Sequence, residues 1–577
     1  MYKRTGIALI ISGLTTLGVY HYRRRLVSRL LGLPPALHEV AVERGLRTPM
    51  SDGVELVADR YRPRQPGRFP TILVRTPYGR KASGFFVSHR MAERGYNVLV
   101  QDVRGRFDSE GDFDVFAGEE ADGQATIRWI ADQPWFDGSL GLWGMSYLAY
   151  VQWAAAPDAP SFLKAIMPQI GGSRAYPIIY PDGAFNLDLT LPYSILLEEQ
   201  NTSPGASFLK SFLRSLLLQL RLRRRLRSGF MHLPVGKADA EVSGRPKTSY
   251  RDWLAHPEAS DAYWRDRNHS RRVHEVEAPA HLFSGWYDFF LRELLDDYEA
   301  LTAAGKTPHL TVGPYPHGSL GMMAVVLRET FAWFDQHLKG ETGRTRTKPV
   351  RLYVMGADEW REFDAWPPPA EETHYHLHPG ERLSPEAPPA DSPPDRYRYD
   401  PSDPTPAVGG PLFGFYGKRG AVDNRELESR PDVLVYTTSP LQGEVEIVGP
   451  VRLELYVGSS LQHADFFGRL CDVRPDGKSI NVCDGLFRLE PGQGEQQPDG
   501  SSRIEIDMWA TAYRFRRGHS IRLQVSSGAH PRWNRNLGTG EPTATATTML
   551  AAEQIIYHDR EHPSKVVLPV NASTSRA

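Results

Sequence analysis

The strongest constraint on the fold is an alternation of short apolar strands and helical segments over the first 370 residues. Buried-strand patterns lie at residues 54–57, 71–75, 97–100, 139–143, 165–167, 280–283 and 309–312. Helical patterns separate several of them, and apolar strands spaced by helices predict a parallel sheet covered on both faces. At 577 residues the chain also exceeds a single hydrophobic core, so we expect several units.

The strand pattern stops between about residues 172 and 276, where segments such as 208–230 are helical in character. We interpret this region as a helical insertion that caps the sheet. A Pro-rich stretch over residues 366–394 is typical of an interdomain connection. Beyond it, short alternating runs separated by Gly, Pro and Asp turns predict a β-sandwich or jelly roll.

Composition excludes several classes of protein. Hydrophobic residues make up 40% and charged residues 24%, as in ordinary globular proteins. The 68 Lys and Arg residues nearly balance the 69 Asp and Glu residues, which gives no general reason to expect nucleic acid as a partner. Cys471 and Cys483 are too few for a disulfide framework and lack zinc-ligand neighbours, so we expect two buried thiols, with a pairing between them left open.

The N-terminus departs from this neutral composition. Lys3 and Arg4 precede an apolar run over residues 6–20, and Arg23, Arg24 and Arg25 follow it. The pattern predicts an uncleaved membrane anchor within residues 1–36, with the body of the protein on the cytoplasmic side by the positive-inside tendency. The alternatives are an exported protein and a soluble cytoplasmic protein whose apolar N-terminal helix packs on its surface.

A strongly basic amphipathic stretch lies within the predicted cap. Its cations, interleaved with leucines, are Lys210, Arg214, Arg221, Arg223, Arg224, Arg225 and Arg227. A membrane-surface helix has this pattern. A cap helix whose leucines pack inward and whose arginines face water has it too, and we favour the cap helix.

The main chemical signal is a strand that ends in Gly-x-Ser and continues into a helix. Residues 141–149 read Gly-Leu-Trp-Gly-Met-Ser-Tyr-Leu-Ala, and a helical pattern follows. Such a strained turn exposes the hydroxyl of Ser146 and presents the next backbone N–H to an oxyanion. Leu148 occupies the second glycine position of the usual Gly-x-Ser-x-Gly pentapeptide, so the motif alone also fits an ordinary loop.

A serine nucleophile needs a base, and the base needs a carboxylate that orients it. In α/β-hydrolases the order along the chain is serine, acid and histidine, with each partner just beyond a strand. Asp288 and His317 stand in those positions, after strands at 280–283 and 309–312. Asp288 also suits a helix N-cap and His317 a turn, while His337 suits a surface position on an amphipathic helix.

Several blocks in the correct order resemble the cocaine esterase-like (CocE/NonD) hydrolases of the X-Pro dipeptidyl-peptidase superfamily. The blocks are residues 75–80, 101–106, 285–288, 313–318, 334–340, 464–467 and 472–477, together with the Ser146 elbow. The resemblance implies an α/β fold with an α/β-hydrolase domain at 37–171 and 277–370 and an inserted helical cap at 172–276. It also implies a C-terminal all-β jelly-roll (galactose-binding-like) domain at 371–570, before a tail at 571–577.

The resemblance also assigns a role to Tyr78. In such enzymes this phenol donates the second oxyanion-hole hydrogen bond, beside the backbone N–H of the residue at the Tyr147 position. Without the resemblance, residues 77–79 would be interpreted only as a turn. The sequence departs from the family at Ala149, where a glycine is usual, and at Tyr315, where a tryptophan is usual.

The residues after Asp288 bear on the substrate. Relatives that hydrolyse α-amino acid esters hold the substrate ammonium with extra carboxylates there, whereas this chain has Phe290 and Leu291. An uncharged or aromatic acyl group is therefore favoured, with Phe290 as a substrate contact or as core packing.

The prediction is a serine hydrolase that cleaves a small-molecule ester or amide through an acyl-enzyme and needs no cofactor or metal. An X-Pro dipeptidyl peptidase is the alternative within the family. A carbohydrate-binding or adhesive protein with a degenerate hydrolase domain is the alternative outside it. We expect no nucleic-acid partner. Membrane contact through the N-terminal segment and homo-oligomerisation are compatible with the sequence.

Overall fold

The computed structural model describes residues 26, 28–83, 85–200, 208–415 and 417–571. The predicted N-terminal anchor falls on residues 1–36, and residues 1–25 and 27 lie outside the described residues. Within the described ranges, none of the helices combines the length and the apolar character needed to cross a bilayer.

The first sheet contains ten strands. They are β1 (Val40–Pro49), β2 (Glu55–Pro63), β3 (Phe69–Thr76), β4 (Asn97–Asp102), β5 (Phe136–Met145), β6 (Leu163–Gln169), β7 (His281–Tyr287), β8 (His309–Pro316), β9 (Val350–Val354) and β10 (Glu359–Phe363). Their spatial order is β1-β2-β4-β3-β5-β6-β7-β8-β9-β10. The strands from β4 to β9 in this order are parallel, and β1, β2 and β10 are antiparallel to their neighbours.

Helices cover both faces of this sheet, which explains the apolar runs in the sequence. The covering helices are Phe85–Ala92, Glu119–Ala131, Tyr147–Ala155, Leu291–Ala303 and Met323–Lys339. Every residue of β4 and of β7 is buried, as expected for strands that have helices above and below. The predicted α/β domain is confirmed, and its parallel strands place their carboxyl ends at one edge of the sheet.

The chain between β6 and β7 is helical throughout its described part, as predicted for the cap. Its α-helices are Tyr176–Ile179, Leu187–Gln200, Phe208–Met231, Ala238–Ser243 and Thr248–Ala255. Four 3₁₀ segments lie among or after them, at Pro181–Gly183, Val235–Lys237, Ala262–Arg267 and Ser270–Glu275. The helix predicted over residues 208–230 therefore exists with nearly the predicted bounds.

The C-terminal region is all-β. Its strands are β11 (Glu371–His378), β12 (Arg382–Ser384), β13 (Asp395–Tyr399), β14 (Leu434–Thr437), β15 (Val445–Ser459), β16 (Ala464–Val473), β17 (Ser479–Leu489), β18 (Glu495–Gln496), β19 (Ser502–Phe515), β20 (Ser520–Ser526), β21 (Ala552–Tyr557) and β22 (Lys565–Val570). All pairs are antiparallel except β12 with β14, and the long β15 pairs with β19, β21 and β22. The predicted jelly-roll class is confirmed.

The interpretation of residues 366–394 as a connection is partly wrong. This stretch contains β11 and β12, which pair with β22 and β14. Its prolines flank these two strands without interrupting them, so the backbone hydrogen bonds of a sheet can form. The domain limits drawn from the sequence stay predictions. Cys471 is buried, Cys483 is only half-buried, and both are free thiols, so the pairing left open by the sequence is not formed.

Candidate active site

Ser146 occupies a strained turn between β5 and the helix Tyr147–Ala155. Its φ is 61° and its ψ is −125°, a conformation that a non-glycine residue adopts only when its surroundings enforce it. The Ser146 N–H donates to the carbonyl oxygen of Gln169 at 2.9 Å, which ties the turn to β6. The strand-to-helix elbow predicted from the sequence is therefore present.

Two glycines make room for this turn. A Cβ on Gly144 would lie 2.3 Å from the Cβ of Leu148, and a Cβ on Gly171 would lie 2.6 Å from the carbonyl oxygen of Ser146. Both distances are far below van der Waals contact. The elbow thus accommodates Leu148 at the usual second glycine position because Gly144 has no side chain.

The structure brings Ser146, His317 and Asp288 together. The His317 Nε2 lies 3.1 Å from the Ser146 Oγ, and the His317 Nδ1 lies 2.9 Å from the Asp288 Oδ2. Asp288 follows β7 and His317 follows β8, so both side chains emerge at the edge of the sheet where the elbow lies. His317 lies 171 positions after Ser146 and 29 positions after Asp288 in the sequence, and the parallel topology explains how the three meet.

Asp288 is not the N-cap of the following helix, a position that Phe290 occupies, but it has a second contact in the turn before it. Its Oδ1 accepts the N–H of Phe290 at 2.8 Å, at the entry to the helix Leu291–Ala303. The carboxylate is fully buried. One oxygen thus holds the turn before the helix while the other faces the imidazole.

This arrangement matches the requirements of nucleophilic catalysis. A serine hydroxyl becomes an effective nucleophile when an imidazole within hydrogen-bond distance accepts its proton. A buried carboxylate on the other ring nitrogen fixes the tautomer and stabilises the imidazolium that forms.

Tyr78 lies in the wall of the same cavity as Ser146. Its hydroxyl is 3.1 Å from the hydroxyl of Tyr193, which belongs to the cap helix Leu187–Gln200. The loss of solvation in the cavity wall raises the pKa of Tyr78, so the phenol stays protonated at neutral pH. Tyr78 is therefore a neutral hydrogen-bond donor beside the serine.

The phenol of Tyr147 is already hydrogen-bonded to two residues away from the triad. Its hydroxyl donates to the Glu119 Oε1 at 2.7 Å and accepts the N–H of Phe116 at 3.0 Å. The ring stacks on that of Phe116 with centroids 4.8 Å apart. The Tyr147 N–H lies in the first helical turn, where the helix supplies no acceptor for backbone donors.

A cavity of about 410 Å³ opens onto Ser146 and is lined mainly by apolar side chains. Phe290, the predicted substrate contact, lies in its wall, with its ring centroid 5.6 Å from that of His317. Among the described residues that line the cavity, none is Asp, Glu, Lys or Arg. An uncharged group fits this lining better than an ammonium or a carboxylate.

Three cavity residues were missed by the sequence analysis. Phe289 packs against the His317 ring with centroids 4.3 Å apart, and its position beside Asp288 was a usable signal. Tyr193 comes from the cap, and Phe413 comes from the C-terminal region, where its N–H donates to the Asp188 Oδ2 at 2.6 Å. Neither belongs to a local motif, so only the tertiary structure identifies them.

Comparison with known proteins agrees with this fold. Residues 52–319 match the X-Pro dipeptidyl-peptidase (S15 family) model, and residues 342–567 match the X-Pro dipeptidyl-peptidase C-terminal non-catalytic domain. The chain is 34% identical to the cocaine esterase of Rhodococcus sp. (strain MB1 Bresler) over 92% of this chain and 98% of that protein.

Two solved structures share the fold over nearly the whole chain. An aminopeptidase from a marine sediment Thaumarchaeota archaeon superposes with a TM-score of 0.78 at 22% identity, covering 93% of this chain and 98% of the other. An α-amino acid ester hydrolase superposes with a TM-score of 0.75 at 22% identity, covering 94% of this chain and 98% of the other. The chain belongs to the cocaine esterase-like hydrolases of the X-Pro dipeptidyl-peptidase superfamily and is a serine hydrolase of ester or amide bonds.

Proposed function

We propose that Ser146, His317 and Asp288 are the nucleophile, the general base and the orienting acid of this hydrolase. The observation that carries the proposal is the pair of hydrogen bonds, 3.1 Å from Ser146 to His317 and 2.9 Å from His317 to Asp288. The preferred substrate is an ester of a neutral or aromatic acid, which the enzyme cleaves through an acyl-enzyme.

The proposed reaction has two halves. The His317 Nε2 accepts the proton of Ser146 as its Oγ attacks the substrate carbonyl, and the protonated imidazole then delivers that proton to the leaving alcohol. In the second half the imidazole accepts a proton from a water that attacks the acyl carbon, and it returns that proton to the Ser146 Oγ as the acyl–oxygen bond breaks and the acid leaves. The Tyr78 hydroxyl and the Tyr147 N–H donate hydrogen bonds to the oxyanion in both halves.

The lining of the cavity supports the choice of acyl group. Its volume of about 410 Å³ suits a small organic substrate, and its apolar walls favour an uncharged ring. Phe289 and Phe290 stand beside His317, where a bound acyl group would lie against them. Both are buried, so they offer a flat hydrophobic wall at little cost in side-chain entropy.

The alternative is an X-Pro dipeptidyl peptidase. Such an enzyme must bind the free ammonium of a dipeptide, which requires an acceptor in the pocket. The described lining residues offer no carboxylate for this purpose. The lining therefore supports the esterase, and the two functions are separable by substrate choice.

The test is covalent labelling with a fluorophosphonate combined with a substrate panel. Ser146→Ala is expected to abolish labelling and to lower kcat by at least about 10⁴-fold, because the nucleophile is lost. Ser284→Ala is the matched control, since Ser284 is buried in β7 and its hydroxyl has no hydrogen-bond partner among the described residues. Aryl benzoates, aryl acetates and glycyl-prolyl anilides are compared. Faster cleavage of the prolyl anilide would reject the esterase assignment.

The N-terminal segment supports a separate proposal, that residues 1–25 anchor the protein to a membrane with its body in the cytoplasm. The support is the apolar run at residues 6–20 flanked by Lys3, Arg4 and Arg23 to Arg25. Fractionation of cells that express the full chain or a chain lacking residues 1–25 tests it. Equal recovery of both in the soluble fraction would contradict it.

A further inference from the structure

Over residues 221–227, the solvent side of the helix Phe208–Met231 is basic. We call it the arginine face, and its residues are Arg221, Arg223, Arg224, Arg225 and Arg227, all exposed. The helix is part of the cap, and none of these residues takes part in the site around Ser146. The proposed catalytic mechanism therefore gives this charge no role.

The opposite face of the helix is firmly packed on the protein. Leu222, Leu226 and Phe230 are at most 3% exposed. A Cβ on Gly229 would lie 2.3 Å from the Cγ2 of Val242, so the helix and the segment Ala238–Ser243 are in close contact. At the end of the helix, Arg535 donates to the Met231 carbonyl oxygen at 2.7 Å. The helix is thus held in place with the arginine face directed outward.

The charge of the arginine face is not compensated within the described protein. No ion pair of the described residues involves these five arginines, and the Arg225 Nη1 donates only to the Val242 carbonyl oxygen at 3.3 Å. The sequence between Glu199 and Asp239 contains no Asp or Glu at all. Five exposed guanidinium groups within seven residues of one helix, in a chain of net charge −1, point to an anionic partner.

Exposed apolar side chains lie among these cations. Leu217 is 66% exposed, Leu220 is 49% exposed and Met231 is 41% exposed. With Arg224 and Arg227 they follow the three- and four-residue spacing that places side chains on one stripe of a helix. This exposed stripe therefore mixes apolar side chains with arginines, so that leucines can enter the headgroup region of a bilayer while the arginines beside them meet lipid phosphates.

Other anionic partners fit this stripe less well. A nucleic acid would pair with the arginines but would leave Leu217 and Leu220 against a polar backbone. A second copy of the chain, docked symmetrically on this face, would bring five arginines against five arginines. A bilayer matches both features, because lipid phosphates accept guanidinium hydrogen bonds while leucine side chains enter the acyl boundary.

We propose that the arginine face docks this hydrolase on an anionic phospholipid bilayer, with lipid phosphates bound by the arginines and with Leu217 and Leu220 inserted between the headgroups. The contact is independent of the proposed catalytic function. It is also distinct from the proposed N-terminal anchor, because it depends on side chains of the cap.

The first test is sedimentation of the full chain with vesicles of phosphatidylcholine alone or mixed with phosphatidylglycerol. The combined variant Arg221→Gln, Arg224→Gln and Arg227→Gln is expected to bind the mixed vesicles about 100-fold more weakly, since each arginine near an anionic surface contributes about 1 kcal/mol. Wild-type binding should weaken as salt is added. Hydrolysis of a water-soluble ester should be unchanged, which shows that the variant folds.

The matched control is a variant with the same change in charge elsewhere. Arg68→Gln, Arg517→Gln and Arg560→Gln alter three exposed arginines that lie outside the cap. This control should bind like the wild type. Equal binding by the two triple variants would overturn the proposal and would leave any membrane binding to the N-terminal segment or to net charge.

The second test reports on the helix itself. An environment-sensitive fluorophore on Leu220→Cys should shift to the blue with mixed vesicles, whereas the same label on Ala303→Cys, an exposed position in the hydrolase domain, should not. The labelled wild type corrects for Cys471 and Cys483. Three outcomes would each overturn the proposal. The label at position 220 shows no shift with mixed vesicles, it shifts with duplex DNA in place of vesicles, or its shift follows self-association of the protein without lipid.

Discussion

At the scale of single residues, Tyr78 is held from two directions. Its hydroxyl meets that of Tyr193 at 3.1 Å. The buried Arg106 donates to the carbonyl oxygen of Pro77, just before Tyr78, and to that of Leu197 on the cap helix, at 2.8 Å each. The loop of Tyr78 and the cap are thus joined by one guanidinium. If the Tyr78 hydroxyl donates its hydrogen bond to the oxyanion, the Tyr193 hydroxyl must donate to Tyr78 within the pair.

This pair predicts coupled effects of two substitutions. Tyr78→Phe should lower kcat by about 100-fold, as the loss of an oxyanion donor does. Tyr193→Phe should lower kcat by about five-fold, because it removes a hydrogen bond worth about 1 kcal/mol that orients Tyr78. The double variant should resemble Tyr78→Phe alone, since Tyr193 acts through Tyr78. Steady-state kinetics with one aryl ester measures all three.

The control for this cycle is Tyr250→Phe. The Tyr250 hydroxyl also lies buried in the cap but donates to the Val235 carbonyl oxygen at 2.9 Å, away from the site. Its loss should leave kcat unchanged. Additive effects of the Tyr78 and Tyr193 changes would show that Tyr193 does not act by positioning Tyr78.

At the scale of elements, the units that carry the site were predictable because their signals are local. An apolar strand, a small-residue turn and a helical pattern follow one another within residues 136–155, and a short buried-strand pattern precedes both Asp288 and His317. The segment at 366–394 was misjudged because its prolines dominated the pattern. Two short strands lie between those prolines, and they are stabilised by pairing with distant strands. The partner of β11, β22, lies almost 200 residues further along the chain.

The elbow gives the prediction at this scale. Gly144→Ala should destabilise the hydrolase domain by about 1–3 kcal/mol and lower activity, because the new Cβ would lie 2.3 Å from the Leu148 Cβ. Adding Leu148→Gly should restore part of the loss. Restoration cannot be complete, since the Leu148 carbonyl oxygen would also lie 2.9 Å away.

Thermal unfolding and ester hydrolysis measure the two effects. Gly318→Ala serves as a comparison, because no atom lies within 4 Å of its added Cβ, although its φ of +63° imposes a backbone cost. If Gly144→Ala retained the stability and activity of the wild type, close packing would not be what maintains the elbow.

At the scale of the whole molecule, the substrate cavity is formed by all three parts of the chain. Ser146 and Phe290 come from the α/β domain, Tyr193 from the cap and Phe413 from the region that continues into the C-terminal sheet. Ser146 and Phe290 could be inferred from strand positions and a family resemblance. Phe413 could not, because its place depends on how the C-terminal domain docks, and no periodicity in the sequence encodes a contact over more than 200 residues.

Phe413 therefore tests the contribution of the C-terminal domain to specificity. Its ring approaches those of Phe289 and Tyr193 with centroids 6.0 and 6.2 Å apart. Phe413→Ala should lower kcat/KM for a benzoyl ester by about ten-fold, the effect of losing about 1.5 kcal/mol of apolar contact, with a smaller loss for the acetyl ester. Phe415→Ala, which removes a neighbouring ring outside the cavity wall, should leave the ratio unchanged. Equal losses for both esters would contradict this role.

The end of the sheet opposite the site contains a histidine cluster formed by His281, His309 and His337 around Trp333. Their ring centroids lie 5.3, 5.0 and 4.2 Å from that of Trp333. Burial lowers the pKa of all three, and that of His309 falls to about 4, with the cationic Arg346 adding to the effect. These imidazoles therefore stay neutral in the folded protein at pH values near 6.5, where they begin to bind protons in the unfolded chain.

This difference fixes the sign of a pH effect on stability. Below pH 6.5 the unfolded chain gains a proton at His309 that the folded chain does not bind until about pH 4. The free energy of unfolding therefore decreases as the pH is lowered through this window, by about 1.4 kcal/mol per pH unit for each such histidine. Buried carboxyls such as Glu293, whose pKa burial raises to about 7, act in the opposite sense. The dependence of stability on pH is therefore a sum over these groups, and the difference in stability between two variants isolates the contribution of one histidine.

His309→Gln should be less stable than the wild type at pH 7.5, because ring packing on Trp333 is lost, and this deficit should shrink as the pH falls from 6.5 to 4.5. Urea unfolding at several pH values measures the deficit, and the exposed His374→Gln should give a curve parallel to the wild type. A deficit for His309→Gln that stays constant with pH would show that this imidazole is protonated equally in the folded and unfolded states.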